Sequence, residues 1–383
     1  MFPDHRLVPG RLAGAFVATV LVAASLVACS SGPAKPKPAE LPANTAIVGV
    51  RSAWTSQLGA VNFPLDVHVA GTTVTLASGD GTVVAIDANT GRDLWRVSLG
   101  VPLTAAAGSD GKTAAVVART NEVIAMADGK ELWRQKLPAQ VYTAPLVAGG
   151  RVFVLAADRS VTALDGQTGR RLWVQQRPAG DALVLRQPGV LLAVGDTLLV
   201  GLSSRLTGLN PSNGSIRWEA PIGTPRGTND VERLVDLVGR TSRVGPVVCA
   251  RAFQLGVGCV DAQRGTVLWT KPADGFEGLH GDESLVFGAE SDGKLVAWKR
   301  ADGERAWVTD RLQYRRLTAP LALGRSVVVG DNTGLVHLLS REDGSPLNRL
   351  STDGSAIAAA PVVAGDTLVV VTQKGGVFGF RPE

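Results

Sequence analysis

Short apolar runs, some alternating and some continuous, return along most of this chain, separated by glycine-rich polar turns. A clear instance is Asp80-Gly-Thr-Val-Val-Ala-Ile-Asp-Ala-Asn-Thr-Gly-Arg-Asp-Leu-Trp95. Residues 83–86 read as a buried strand. The Asp-x-x-Thr-Gly that follows reads as a tight turn, its Asp capping the backbone and its Gly supplying a positive φ. The next strand carries the tryptophan. The pattern recurs at 121–133 (NEVIAMADGKELW), 159–173 (RSVTALDGQTGRRLW), 205–218 (RLTGLNPSNGSIRW), 258–269 (GCVDAQRGTVLW), 293–307 (GKLVAWKRADGERAW) and 334–347 (GLVHLLSREDGSPL).

Counted along the repeat, the key positions are Trp95, Trp133, Trp173, Trp218, Trp269, Trp307 and Leu347, spaced 38, 40, 45, 51, 38 and 40 residues apart. Upstream of each lies a second hairpin, and before it a short apolar segment such as Ala144-Pro-Leu-Val, Ala319-Pro-Leu-Ala or Ala360-Pro-Val-Val. That makes four strands per unit, the blade of a β-propeller. A blade cannot bury both faces alone, and an indole suits the contact between one blade and the next. The chain ends in a hairpin without its Trp strand (366–380), while 48–58 is a Trp strand without its hairpin, carrying Trp54. Together they complete an eighth blade and hide the sheet edges. The expectation is an all-β, eight-bladed propeller of four-stranded antiparallel blades over residues 47–383, closed by the N-terminal strand; seven blades would require two units to merge. Trp54, Trp95, Trp133, Trp173, Trp218, Trp269 and Trp307 are blade-docking residues, and Trp298 lies on another strand.

The first 28 residues break this pattern. Arg6 and Arg11 precede an apolar stretch over 12–28, the layout of a secretory signal. Leu26-Val27-Ala28-Cys29 resembles the bacterial lipobox, which implies cleavage before Cys29 and acylation of its thiol; the alternative is an uncleaved anchor helix. Ser30 in place of aspartate implies, by the sorting rule of such lipoproteins, the outer membrane. Residues 29–46, rich in proline and small residues, read as the lipidated cysteine and a flexible tether.

The net charge of +5 is dispersed, with no basic run longer than two residues, so the chain lacks a nucleic-acid footprint. His68, His280 and His337 are isolated, and no nucleophile or phosphate-binding motif is present. Asp80-Gly81, Asp292-Gly293 and Asp302-Gly303 are explained by turn chemistry. Catalytic, metal and cofactor sites are therefore not expected. Cys249 and Cys259 align with Thr75 and Ala85, roughly opposite each other on one face, and form either a disulfide or two small buried thiols.

The repeat A-[IL]-D-x-x-T-G-x-x-x-W resembles the tryptophan-docking repeat of quinoprotein alcohol dehydrogenases, but the adjacent cysteine pair and calcium ligands of those enzymes have no counterpart here. Fold likeness alone does not carry function. Leu183-Val-Leu-Arg-Gln, Asp230-Val-Glu-Arg-Leu-Val-Asp236, and Arg316-Leu-Thr-Ala-Pro with Val329-Gly-Asp-Asn-Thr-Gly-Leu-Val-His are more specific. With the signal and tether, they resemble the BamB family, lipoprotein subunits of the outer-membrane β-barrel assembly machinery. The resemblance implies a non-enzymatic scaffold whose L-x-L-R loop and acidic loop bind the periplasmic domains of the barrel-forming subunit. Here those residues are Leu183, Leu185 and Arg186, with Arg233 and Asp236. The family's second aspartate is replaced by Val238. The resemblance also implies membrane association through the lipid and a further contact with unfolded outer-membrane proteins. The competing reading is a periplasmic quinoprotein-like dehydrogenase or ligand-sensing propeller.

Overall fold

The computed structural model describes Met1 and residues 36–176, 184–225 and 234–383. Among the described residues every regular element is a strand, and the strands pair into eight antiparallel sheets of four. Blades 1 to 7 follow in chain order over residues 68–98, 108–136, 146–175, 191–221, 237–272, 279–309 and 321–351. Blade 8 takes Val362–Ala364, Thr367–Val371 and Gly376–Pro382 from one end of the chain and Val50–Gln57 from the other. The expected closure is present, with Trp54 of the N-terminal strand opposite Gly379.

The same register builds each tryptophan blade. The Trp faces a small residue on the preceding strand: Ala85, Ala125, Ala163, Gly208, Cys259, Ala297 and, in blade 8, Gly379. A one-residue bulge sits beside every such pair. A bulge re-aims the side chain next to it. Here the re-aimed indole lies over the turn glycine of the next blade. A Cβ on Gly91 would stand 2.5 Å from the Trp54 ring, and one on Gly169, Gly214 or Gly303 2.4–2.6 Å from Trp133, Trp173 or Trp269. These glycines also hold φ near +70°, where an L side chain is strained. The indole N–H completes the joint by donating to a backbone carbonyl of that blade: Trp54 to Ala88, Trp133 to Gly166, Trp173 to Pro211, Trp269 to Arg300 and Trp307 to Arg341, at 2.7–3.0 Å.

Blade 7 departs from the sequence reading. Its tryptophan position is Asn348, not Leu347: Asn348 pairs with Leu338 while Leu347 occupies the bulge. With no tryptophan to mark the frame, the apolar Leu347 stands out in the sequence in place of its neighbour, although Asn348 stands four residues after Gly344 as Trp95 does after Gly91. The substitution has a physical cause. Blade 8 is spliced from both chain ends and has no turn between its last two strands, so no glycine awaits an indole. Asn348 instead donates to the Val48 carbonyl at 2.6 Å and accepts from Asn44 at 2.9 Å, fastening the incoming N-terminal segment.

Cys249 and Cys259 are direct cross-strand partners in blade 5, fully buried and joined as a disulfide. The aspartates of the repeated turns bond to their own loops: Asp87 accepts from Asn89 N and Asp261 from Gln263 N, both at 2.9 Å.

Candidate partner-binding site

The connections between blades run to the first strand of the next blade at one end of the ring. The turns joining second and third strands lie at the same end, since Ala157 N donates to the Gln140 carbonyl and Arg119 N to Pro102, both at 2.7 Å. Four of these turns use glycine at positive φ: Gly81, Gly293, Gly334 and Gly375. In blades 2 and 3 the position falls to Asn121 and Arg159, and in blades 4 and 5 the positive φ moves to Ser203 and Gln254, one residue earlier in the turn. A non-glycine residue there carries backbone strain, which persists where the side chain is used.

Arg159 is used. Its guanidinium reaches Asp236 on the far side of blade 4, Nη2 to Oδ1 at 3.1 Å, with both side chains largely buried. The other Asp236 oxygen accepts the Leu185 backbone N–H at 2.9 Å. Asp236 therefore joins the turn of blade 3, the loop from blade 3 to blade 4, and the lead-in to blade 5. Gly189 N–H donates to Thr143 Oγ1 at 2.9 Å, and Gly239 N–H to the Pro188 carbonyl at 2.8 Å. The loop over 184–190 is thus held at both edges.

Leu185 is half-buried, whereas Arg186 is exposed and stands over the Tyr142 ring, 6.0 Å from its centroid. That stacking holds the guanidinium over an aromatic face without consuming its hydrogen-bond donors. Val238 is 2% exposed and bridged to Gly189, so it lies inside the fold. Of the residues named from sequence, Leu185, Arg186 and Asp236 come together here. Leu183 and Arg233 lie outside the described residues, as does Cys29. Asp236 spends both oxygens inside the protein and so positions the loop, leaving Arg186 as the outward-facing charge among the described residues of that loop. Arg159 and Tyr142 escaped the sequence reading. For Arg159 the available signal was an arginine at a turn position that four other blades give to glycine.

The same end of the ring opens into an axial cavity of about 720 Å³ that shares Gln187 and Pro188 with this site. Phe63, Arg240, Phe276, Glu277 and Arg316 also line it. Burial pushes the Glu277 carboxyl up to about 7, against the pull of Arg316 and Arg251. Burial, aided by Arg240 and Arg300, pushes His280 down to about 3, so it stays neutral, and its Nδ1 accepts from Ala322 N at 3.1 Å. Among the described residues no cluster of three or more His, Cys, Asp or Glu side chains is arranged to hold a metal ion.

These features define a class: an eight-bladed propeller whose distinctive chemistry is a braced, outward-facing loop. Comparison with known proteins narrows it. A profile of the family described as "Outer membrane protein assembly factor BamB" matches residues 79–309. The outer membrane protein assembly factor BamB of Burkholderia pseudomallei (strain K96243) is 39% identical over 96% of this chain and 97% of its own length. That of Bordetella pertussis (strain Tohama I / ATCC BAA-589 / NCTC 13251) is 36% identical over 97% and 98%. The chain belongs to the BamB family. Among solved structures, BamB from Moraxella catarrhalis superposes with a TM-score of 0.79 at 23% identity, covering 87% of this chain and 99% of that one. A quinohemoprotein alcohol dehydrogenase from Pseudomonas putida HK5 reaches a TM-score of 0.68 at 13% identity over 90% of this chain and 78% of that one, a likeness of fold alone.

Proposed function

We propose that this protein is a non-enzymatic scaffold lipoprotein of the machinery that assembles β-barrel proteins into the outer membrane. In this reading Cys29 carries the lipid and holds the chain on the periplasmic face. The loops bearing Leu183, Leu185, Arg186, Arg233 and Asp236 bind the periplasmic domains of the barrel-forming subunit. Family membership supports the assembly role. The observation that carries the site is Asp236, which spends one oxygen on Arg159 and the other on the Leu185 N–H, so that Arg186 is presented on a fixed loop. A preorganised loop loses less conformational freedom on binding, which favours affinity. Unfolded outer-membrane proteins are a second expected partner. The test is crosslinked affinity purification of the full chain from outer membranes. The barrel-forming subunit should be the dominant partner, and its absence from the crosslinked material overturns the proposal.

A further inference from the structure

The N-terminal segment read from sequence as part of a tether makes specific contacts with the ring. Ala39 N–H donates to the Gln313 carbonyl at 2.9 Å. Arg315 donates twice to the Ala39 carbonyl, at 3.2 and 3.0 Å, and is itself paired at 2.9 Å with the buried Asp331. Leu41 packs into the apolar cluster of Leu312 and Leu339. Arg349 donates to Pro42, Asn44 bonds Asn348, and Ile47 N–H donates to Leu347 at 2.7 Å. Residues 39–48 thus form a strap pinned across the outer side of blades 6 and 7. Its first contact, at Gln313 and Arg315, is on the connection that also supplies Arg316 to the axial cavity, at the same end of the ring as Arg186.

We infer that the sector of blades 6 and 7 is the membrane-facing edge of the propeller, and that the loops of blades 3 and 4 are held on the side away from the bilayer. The inference rests on the reading of Cys29 as the acylated residue. The physical ground is chain length. Nine residues, 30–38, separate Cys29 from the strap. At about 3.3–3.6 Å per extended residue they span at most roughly 30–35 Å. Without the strap the free chain would run to Gly49 and its reach would about double. In a ring of eight blades, blade 7 stands four blades from blade 3, which is opposite. A short leash fixed at one edge therefore turns the opposite edge outward, where a partner standing off the membrane meets it. The bilayer is the surface this sector faces, and the strap is what brings it there.

The test uses the acylated full chain in vesicles of phosphatidylethanolamine and phosphatidylglycerol that carry an acceptor dye. With Cys29 acylated and the other two cysteines bonded together, a single introduced cysteine takes the donor dye alone. Glu342→Cys and Gln167→Cys place it at the same exposed turn position of blades 7 and 3. Energy transfer to the membrane should be severalfold stronger from position 342 than from 167. Adding Leu41→Ser and Asn44→Ser, which alter the strap and leave the ring intact, should abolish most of that difference. Equal transfer from the two positions, in a chain that floats with the vesicles, overturns the inference. A chain that does not float overturns the reading of Cys29, and the inference with it.

Discussion

The junctions between blades and the sector from blade 3 to blade 5 use the same repeat for opposite ends. At a junction such as that between blades 5 and 6, Trp269 is 8% exposed, lies on Gly303 and donates to Arg300 at 2.7 Å. There the indole N–H is satisfied within the pair of blades. Between Trp173 and Trp269 the spacing stretches to 45 and 51 residues, and the added length goes into loops that cross blades. One carboxylate in the second of them braces three segments, reaching back to Arg159 at a turn position of blade 3 that four other blades give to glycine. Regular spacing marks structure that closes on itself, and the departures mark structure turned outward. The junction of blades 7 and 8 is a second departure, where Asn348 replaces the indole and holds an incoming segment.

The largest effect expected from breaking this contrast is at a regular junction. Trp269→Ala should cost about 3–5 kcal/mol, from lost burial plus the cavity left behind. Asn348→Ala, at the equivalent position of blade 7, should cost only about 1 kcal/mol, the worth of its hydrogen bonds. Denaturant titration of both variants reads the difference, and equal losses would erase the distinction between the junctions.

At the axial cavity the expected effect is smaller and depends on pH. The Glu277 carboxyl titrates at about 7 in the fold against an ordinary value of 4.5. A raised carboxyl pKa means the folded state holds the proton more tightly, so the stability it contributes is present below pH 4.5 and lost as pH rises through 7. Glu277→Gln should therefore stabilise the protein by about 1–3 kcal/mol at pH 8 and by little at pH 4.5. Melting curves at the two pH values check this, and a gain that is the same at both would contradict the buried, raised carboxyl.

Smaller again is the brace itself. Asp236→Ala removes a partly buried ion pair with Arg159 and the acceptor for Leu185 N–H. A loss of about 1–2 kcal/mol is expected, together with faster hydrogen exchange in residues 184–190. Unchanged exchange there would mean that the loop is held by other contacts.

The ring was legible because the indole is large, rare and periodic, and Trp54 with the C-terminal hairpin announced the closure. Blade 7 was misframed by one residue because a blade facing no turn has no reason to keep tryptophan. The site was legible only in part. Leu185, Arg186 and Asp236 stood out by their family pattern, but Arg159 and Tyr142 join them across blades, a proximity that no local pattern encodes. Nor could the pattern show that Asp236 faces inward. A carboxylate in a loop reads as available until its hydrogen-bond partners are known.

The most direct measurement of the scaffold role is recovery of the barrel-forming subunit by Arg186→Ala, compared with the unaltered chain, alongside the melting temperature of each. Arg186 is exposed and touches the fold mainly through the Tyr142 face, so stability should change by less than about 0.5 kcal/mol. Recovery should fall sharply while the melting temperature holds. Full recovery at an unchanged melting temperature would contradict the assigned interface, and so would loss of folding.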